Sequence, residues 1–278
     1  MSDAVYSLKN LGEPIFTSRS SEIFNWEDDK LLKLFRPEVD HELIINEEIN
    51  TRETFNSGVS KVECFGRVKV DEREGIIIRR VPGKTLISLA GSKPLTAFVV
   101  HELMADLQIA MHCAHNDKIR NYKQFVIDAL DSEPMSFLSA EEKAICTDKL
   151  EALPDGDSIL HLDFHPDNIM SDGKYDTTII DWMTAASGAP AADVAATLFL
   201  LNEGEMIPGM SKLAAMVLEA IRKLVCKKYY ASYKKKTGMT DAEIAVWRLP
   251  FLIFRLSIWN IESEVKSLQE KIRAELAK

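Results

Sequence analysis

The chain has 278 residues, enough for one large core or two modest ones, with 46% hydrophobic and 28% charged residues, a balance typical of globular proteins. A formal charge of −9 argues against general nucleic-acid binding, which wants a basic footprint. No apolar run is long and uninterrupted enough to span a bilayer, and no repeat or low-complexity tract suggests a solenoid.

Residues 1–5 show no basic patch leading into an apolar run, so no secretory signal is expected. Cys64, Cys113, Cys146 and Cys226 stand far apart, without paired spacing, and read as thiols in a reducing compartment. The cytoplasm is the expected address, and no membrane partner is predicted.

In chain order, Lys30–Phe35 (KLLKLF) predicts a short strand, and residues 75–81 (GIIIRRV) a second one entered through a turn at 71–75. Between them His41–Asn56 has the length of a helix, with Gly58 as its stop. Strands, one helix and more strands predict a small α+β lobe over residues 1–82, closed by the break Val81-Pro82-Gly83. Helices dominate residues 83–278. In 96–113, Val100, Leu103, Leu107, Ala110 and Met111 recur at helical spacing. Residues 122–130 and 139–153 follow, the latter opened by a capping box of Ser139 and Glu142. Segments 211–236 and 240–277 complete the helical part, with Thr240 and Glu243 as a second capping box. Arg222, Lys223, Lys227, Lys228, Lys234, Lys235 and Lys236 read as a solvated helix face.

The chemistry is concentrated in residues 153–201. A short apolar strand, Ser158–Leu160, runs into a loop offering His161, Asp163, His165, Asp167 and Asn168. A turn at Ser171-Asp172-Gly173 leads to a second strand, 177–180, that ends on Asp181. Loops at strand ends are common mounts for catalytic groups. If the two strand ends are neighbours, Asp163, Asn168 and Asp181 converge. One carboxylate and one amide oxygen make a hard, oxygen-only pocket suited to Mg²⁺. A second carboxylate, free of metal, could orient a hydroxyl and accept its proton, the division of labour that phosphoryl transfer requires.

The run from His161 to Asn168 (HLDFHPDN) resembles the HxDxxxxN catalytic loop of the aminoglycoside phosphotransferase and choline kinase family. Ile179-Ile180-Asp181-Trp182 is similar to the family's metal-binding "IDW" strand, and Gly188-Ala189-Pro190 followed by Asp193 to its downstream G-x-P…D element. The resemblance implies a protein-kinase-like two-lobed α+β fold, with a small antiparallel sheet and one helix in a nucleotide-binding N-terminal lobe. A larger, mainly helical lobe would carry catalysis and the acceptor. Asp163 would be the catalytic base, Asn168 and Asp181 the Mg²⁺ ligands, and His161 and Asp193 braces of the loop. Lys33 would reach the phosphates of ATP or GTP, paired with Glu47; Glu48 is the rival. The phosphate loop would fall in residues 17–24 (TSRSSEIF), where glycines are absent and Ser20 and Ser21 could contribute. Arg80 and Val81 would meet the purine edge through backbone groups. The acceptor would be a hydroxyl of a small molecule: an aminoglycoside, or a metabolite such as choline, homoserine or a sugar. Tyr229, Tyr230 and Tyr233 could line its pocket or simply pack, and Glu262 and Glu264 could meet a cationic acceptor or lie on a solvated helix.

Two other readings stand beside this one. His161 and His165 are spaced four apart as in a zinc hydrolase, but Pro166 and the preceding strand argue for a loop rather than a helix face. A nucleotide-binding pseudokinase is the alternative of another class; against it, the base, both metal ligands and the strand lysine are all present.

Overall fold

The computed structural model describes residues 6–92, 99–173, 176–203, 211–259 and 261–278. The chain forms two compact units, one built from residues 1–92 and 166–185, the other from 93–165 and 186–278. In chain order the elements are β1 (Phe16–Thr17), β2 (Ser21–Asn25), β3 (Lys30–Phe35), α1 (His41–Asn56), β4 (Cys64–Val70), β5 (Arg73–Arg79), β6 (Lys84–Thr85) and α2 (Leu86–Ser92). Then come α3 (Val100–His112), α4 (Tyr122–Ala129), α5 (Ala140–Glu151), β7 (Ser158–Leu160), β8 (Ile169–Ser171), β9 (Thr177–Ile179), β10 (Ala186–Gly188) and α6 (Pro190–Glu203). The chain closes with α7 (Lys212–Thr237), α8 (Asp241–Ala245), α9 (Arg248–Trp259) and α10 (Glu262–Leu276).

In the first unit, five strands among the described residues make an antiparallel sheet in the order β1-β2-β3-β5-β4. The apolar residues of KLLKLF put β3 near its centre, where Leu32, Leu34 and Phe35 are buried. Leu32 and Leu34 join Phe24 and Val70 in one core cluster, covered by Tyr6, Leu11, Trp26 and Val68. Each such side chain, fully buried, contributes about 1.5–3 kcal/mol.

Helix α1 has the predicted bounds. Asp40 caps it by accepting the Glu42 N–H at 2.7 Å, and Gly58, at φ +73°, takes the left-handed conformation that ends it. Its buried face is mostly polar: Glu47, Asn50, Thr51, Glu53 and Thr54 accompany Ile44.

Strand β5 starts at Arg73 rather than 75 and ends at Arg79 rather than 81. The β4–β5 turn needs only Asp71 and Glu72, with Asp71 in the left-handed region at φ 50°. A second, three-stranded sheet has the order β6-β8-β9. Gly83 enters it at φ +110°, so close to β8 that an added Cβ would lie 2.1 Å from the Ser171 carbonyl oxygen.

The second unit is mainly helical, with a two-stranded β7–β10 pair. Both predicted capping boxes form, Ser139 with Glu142 and Thr240 with Glu243. Residues 96–98 of the predicted helix 96–113 lie outside the described residues, as does position 260 of segment 240–277. The buried stripe of α3 is rotated from the predicted one: Met104, Ala105, Gln108 and His112 are buried with Val100 and Met111, while Ala110 is exposed. Gln108 and His112 turn inward because a buried carboxylate awaits them. Segment 240–277 divides into three helices. Pro250 has no N–H to give, so it fits only in a first turn, and α9 starts afresh at Arg248.

Tyr122, Trp247, Phe251 and Phe254 form an aromatic core, with the Tyr122 and Phe254 ring centroids 5.3 Å apart. Helices α9 and α10 are clasped by Arg255, which donates to both Glu264 carboxylate oxygens at 2.7 and 2.8 Å. The basic run on α7 is solvated and partly paired: Lys223 with Glu219, Lys234 with Asp241 and Lys236 with Asp106. All four cysteines are free thiols. No helix among the described residues is long and apolar enough to cross a membrane.

Candidate active site

Lys33 lies in β3 at 5% exposure, in register with Ile23 of β2 and Ile76 of β5. A buried ammonium is costly unless paired. Here two carboxylates meet it, Glu47 of α1, itself buried, and Asp181, whose Oδ1 is 2.8 Å from Nζ. Burial alone would lower the lysine pKa; the charges and hydrogen bonds of Asp181 and Glu47 reverse this and lift it above its ordinary value. Burial pushes the Glu47 carboxyl up, against the pull of the lysine. The ammonium is the fixed charge of the trio. Glu48 is turned elsewhere, 2.7 Å from Arg67 and paired with Arg52.

Three positions past Glu47, and so on a neighbouring part of the same helix face, Asn50 donates to the carbonyls of Trp182 at 2.9 Å and Ala185 at 3.0 Å. Ser60 donates to the Ile179 carbonyl at 3.0 Å. Together these bonds hold the segment carrying Asp181, whose own φ is 64°. Short polar side chains tolerate that left-handed conformation better than most.

Strands β8 and β9 pair Ile169 with Ile179, and the Ile180 N–H donates to the Asn168 carbonyl at 2.9 Å. Asn168 and Asp181 are therefore neighbours at one end of a hairpin. This hairpin is distinct from the strand that leads to Asp163. Strand β7 pairs with β10, and β9 with β8. An amide oxygen and a carboxylate side by side form the oxygen donor set that a hard divalent cation takes.

In the second unit, β7 delivers the fully buried His161, whose Nδ1 accepts the Asp163 N–H at 3.3 Å. His161 and His165 do not share a helix face: a loop joins them and a 3₁₀ turn, Pro166–Asn168, follows. His165 Nε2 lies 3.6 Å from Asp163 Oδ2, and the Asp163 side chain is 20% exposed. Between His161 and Asp163, Leu162 holds a φ of 62°, a strained value for a bulky residue. Asp193, in the first turn of α6 behind Pro190, accepts the Leu162 N–H at 2.6 Å. Its other oxygen accepts from Gln108 Nε2 at 2.8 Å and His112 Nε2 at 3.0 Å. Burial would raise this carboxyl; the hydrogen bonds from His112 and Gln108 overcome that and hold it below its ordinary value.

The serine loop is a tight hairpin between β1 and β2. Ser18 Oγ accepts the Ser21 N–H at 3.0 Å, Ser20 and Ser21 are buried, and the Ser20 carbonyl accepts the Arg36 N–H at 2.8 Å. Past β5, the Arg80 N–H donates to the Asp29 carbonyl at 2.6 Å and its guanidinium to Asn25. Pro82 has no N–H to donate.

Sequence reasoning missed Asn50, Gln108 and His112. Their signal was positional, since Gln108 falls between Met104 and Met111 on the stripe that proves buried. A polar residue on a buried face must have a partner.

Residues 24–221 match the family model described as phosphotransferase enzyme family. That is well over half of the sequence. The chain belongs to the phosphotransferase enzyme family. Its fold is that of solved aminoglycoside phosphotransferases. An apo thermostable mutant of aminoglycoside phosphotransferase APH(4)-Ia matches with a TM-score of 0.65 at 15% identity, over 95% of this chain and 93% of that one. The same enzyme in ternary complex with AMP-PNP and hygromycin B gives 0.64 at 14%, over 95% and 92%. An aminoglycoside phosphotransferase APH(3'')-Id from Streptomyces rimosus gives 0.53 at 15%, over 89% and 92%. No curated protein matches the sequence. The phosphotransferase family thus accounts for the α+β fold, while the acceptor is not fixed by likeness at this identity.

Proposed function

We propose that this phosphotransferase moves the γ-phosphoryl group of ATP or GTP to a hydroxyl of a small acceptor, in the cytoplasm. The observation that carries the reading is the buried Lys33 ammonium bracketed by Glu47 and Asp181, with Asn168 beside Asp181 on the hairpin. Lys33 supplies a fixed positive charge for phosphate oxygens, and Glu47 keeps it in place. Asp163 orients the acceptor hydroxyl and takes its proton as the oxygen attacks; such a base is worth about 10²–10⁴-fold in rate. The Val81 N–H would meet the purine edge, and residues 1–82 would serve as the nucleotide lobe, with 83–278 as the catalytic and acceptor lobe. In the serine loop, where Ser20 and Ser21 are buried, backbone N–H groups would serve as phosphate donors.

Asn168 and Asp181 fit Mg²⁺ by donor type, and would hold it. Bound there, Mg²⁺ would neutralise charge on the transferring phosphate.

The acceptor could be an aminoglycoside, as in the hygromycin-bound relative, or a metabolite such as choline, homoserine or a sugar. One observation weighs against a polycation held at the C-terminal helices: Glu264 is already neutralised by Arg255. The decisive assay measures ATP and GTP turnover against amino-sugar, amino-alcohol and sugar hydroxyls, with Asp163→Ala as control. Transfer by the parent and loss in the variant is the expected result; equal turnover in both removes Asp163 as the base. Nucleotide-dependent stabilisation with no transfer to any acceptor would indicate a pseudokinase.

A further inference from the structure

Beyond the groups placed at the reaction centre, the second unit contains a buried polar chain with no structural need to be polar. Tyr229 and Tyr233 of α7 are 0% and 1% exposed, and both phenols point at residues that hold Asp193. The Tyr229 hydroxyl donates to Gln108 Oε1, and the Gln108 amide donates to Asp193 Oδ2 and, at 3.0 Å, to Thr197 Oγ1. The Tyr233 hydroxyl lies 2.8 Å from His112 Nδ1, while His112 Nε2 faces the same Asp193 oxygen.

Donor and acceptor roles in this chain are constrained. A carboxylate only accepts, so the imidazole must present N–H at Nε2, and in the neutral ring this leaves Nδ1 to accept the Tyr233 proton. A carboxamide facing a carboxylate must present its NH₂, which leaves Oε1 to accept from Tyr229. Each phenol therefore selects the orientation of the group in front of it. Both groups then aim their donors at one carboxylate, and that carboxylate holds the Leu162 N–H in a backbone conformation Leu162 would not adopt unaided.

We propose that Tyr229 and Tyr233 are positioning residues for the loop bearing Asp163, acting through Gln108, His112 and Asp193. This rests on reading the 161–168 loop as catalytic. Packing alone would be met by phenylalanine at both sites, since the rings are buried whether or not a hydroxyl is present. The hydroxyls serve the tautomer of His112 and the flip state of Gln108. Without them the two donors can turn away from Asp193, and Leu162 can relax out of the left-handed region, taking the Asp163 side chain with it.

The test compares Tyr229→Phe, Tyr233→Phe and the double variant with Tyr122→Phe, a buried tyrosine whose hydroxyl has no hydrogen-bond partner among the described residues. Two readouts are taken on the full chain: hydrogen exchange of the Leu162 amide, and kcat and nucleotide KM for phosphoryl transfer. The double variant should exchange the Leu162 amide faster and lose about 10–100-fold in kcat, the range for removing partners that orient a functional group. Nucleotide KM should be unchanged, and Tyr122→Phe should match the parent in both readouts. If the double variant fails to fold, the single variants decide by the same readouts. Undiminished protection of Leu162, or equal loss of kcat in Tyr122→Phe, would overturn the proposal. Faster exchange in a chain whose parent transfers no phosphate would uphold the positioning chain and refute the kinase reading, so the two failures are separable.

Discussion

Lys33 and Asp181, 148 positions apart in sequence, meet at 2.8 Å within the first unit, and the lysine shares its charge with the buried Glu47. One ammonium thus ties the middle of a strand, a helix and the end of a hairpin into a single electrostatic object.

Replacing Lys33 by methionine leaves Glu47 buried without its counter-charge. Removing one member of a buried pair costs about 3–5 kcal/mol, which urea denaturation should show. The double variant Lys33→Met, Glu47→Gln should recover part of that stability and none of the nucleotide turnover. Additive losses in stability would mean the pair is not coupled.

Asp163→Asn should keep its melting temperature and its nucleotide affinity while turnover falls by about 10²–10⁴. Isothermal titration beside a steady-state assay separates the two. A fall in affinity with unchanged kcat would reassign Asp163 to binding.

Asp193 predicts the direction of acid sensitivity. Its carboxyl is held below its ordinary value in the folded chain. The stability this lends is fully present above the unfolded value and is lost as pH falls through the lower folded one. The parent should therefore weaken more steeply than Asp193→Asn on descending below about pH 4, in denaturation series at matched salt. Parallel curves would remove Asp193 as a source of that dependence.

Gly83→Ala should destabilise by about 1–3 kcal/mol, the usual cost of overpacking. The new methyl would collide with the Ser171 carbonyl from a backbone conformation that alanine rarely adopts. Unchanged stability would show that β6 and β8 separate readily.

Much of the local structure was legible because local chemistry sets it. KLLKLF, the helix ended by Gly58, and both capping boxes depend on neighbours within a few positions, and their bounds follow. Strand β4 was not legible. It is an edge strand with a bulge between Cys64 and Gly66, and its half-buried face mixes Cys64, Gly66 and Val68. Strand β10, Ala-Ser-Gly, has too little side chain to signal burial. At the candidate site, motif spacing singled out Asp163, Asn168 and Asp181 as expectations, whereas Asn50, Gln108 and His112 are ordinary surface-type residues until a distant carbonyl or carboxylate faces them. The pairing of β8 with β9 was likewise not legible: three-residue strands carry no register information of their own.

Helix α1 carries Glu47 and Asn50 within one turn, the first gripping the Lys33 ammonium and the second gripping the Trp182 and Ala185 carbonyls. Because both grips sit on one rigid shaft, a screw motion of a single residue, about 100°, would let go of both together. The helix therefore joins the charge on β3 to the chain around Asp181, and a change that displaced it would loosen both contacts at once.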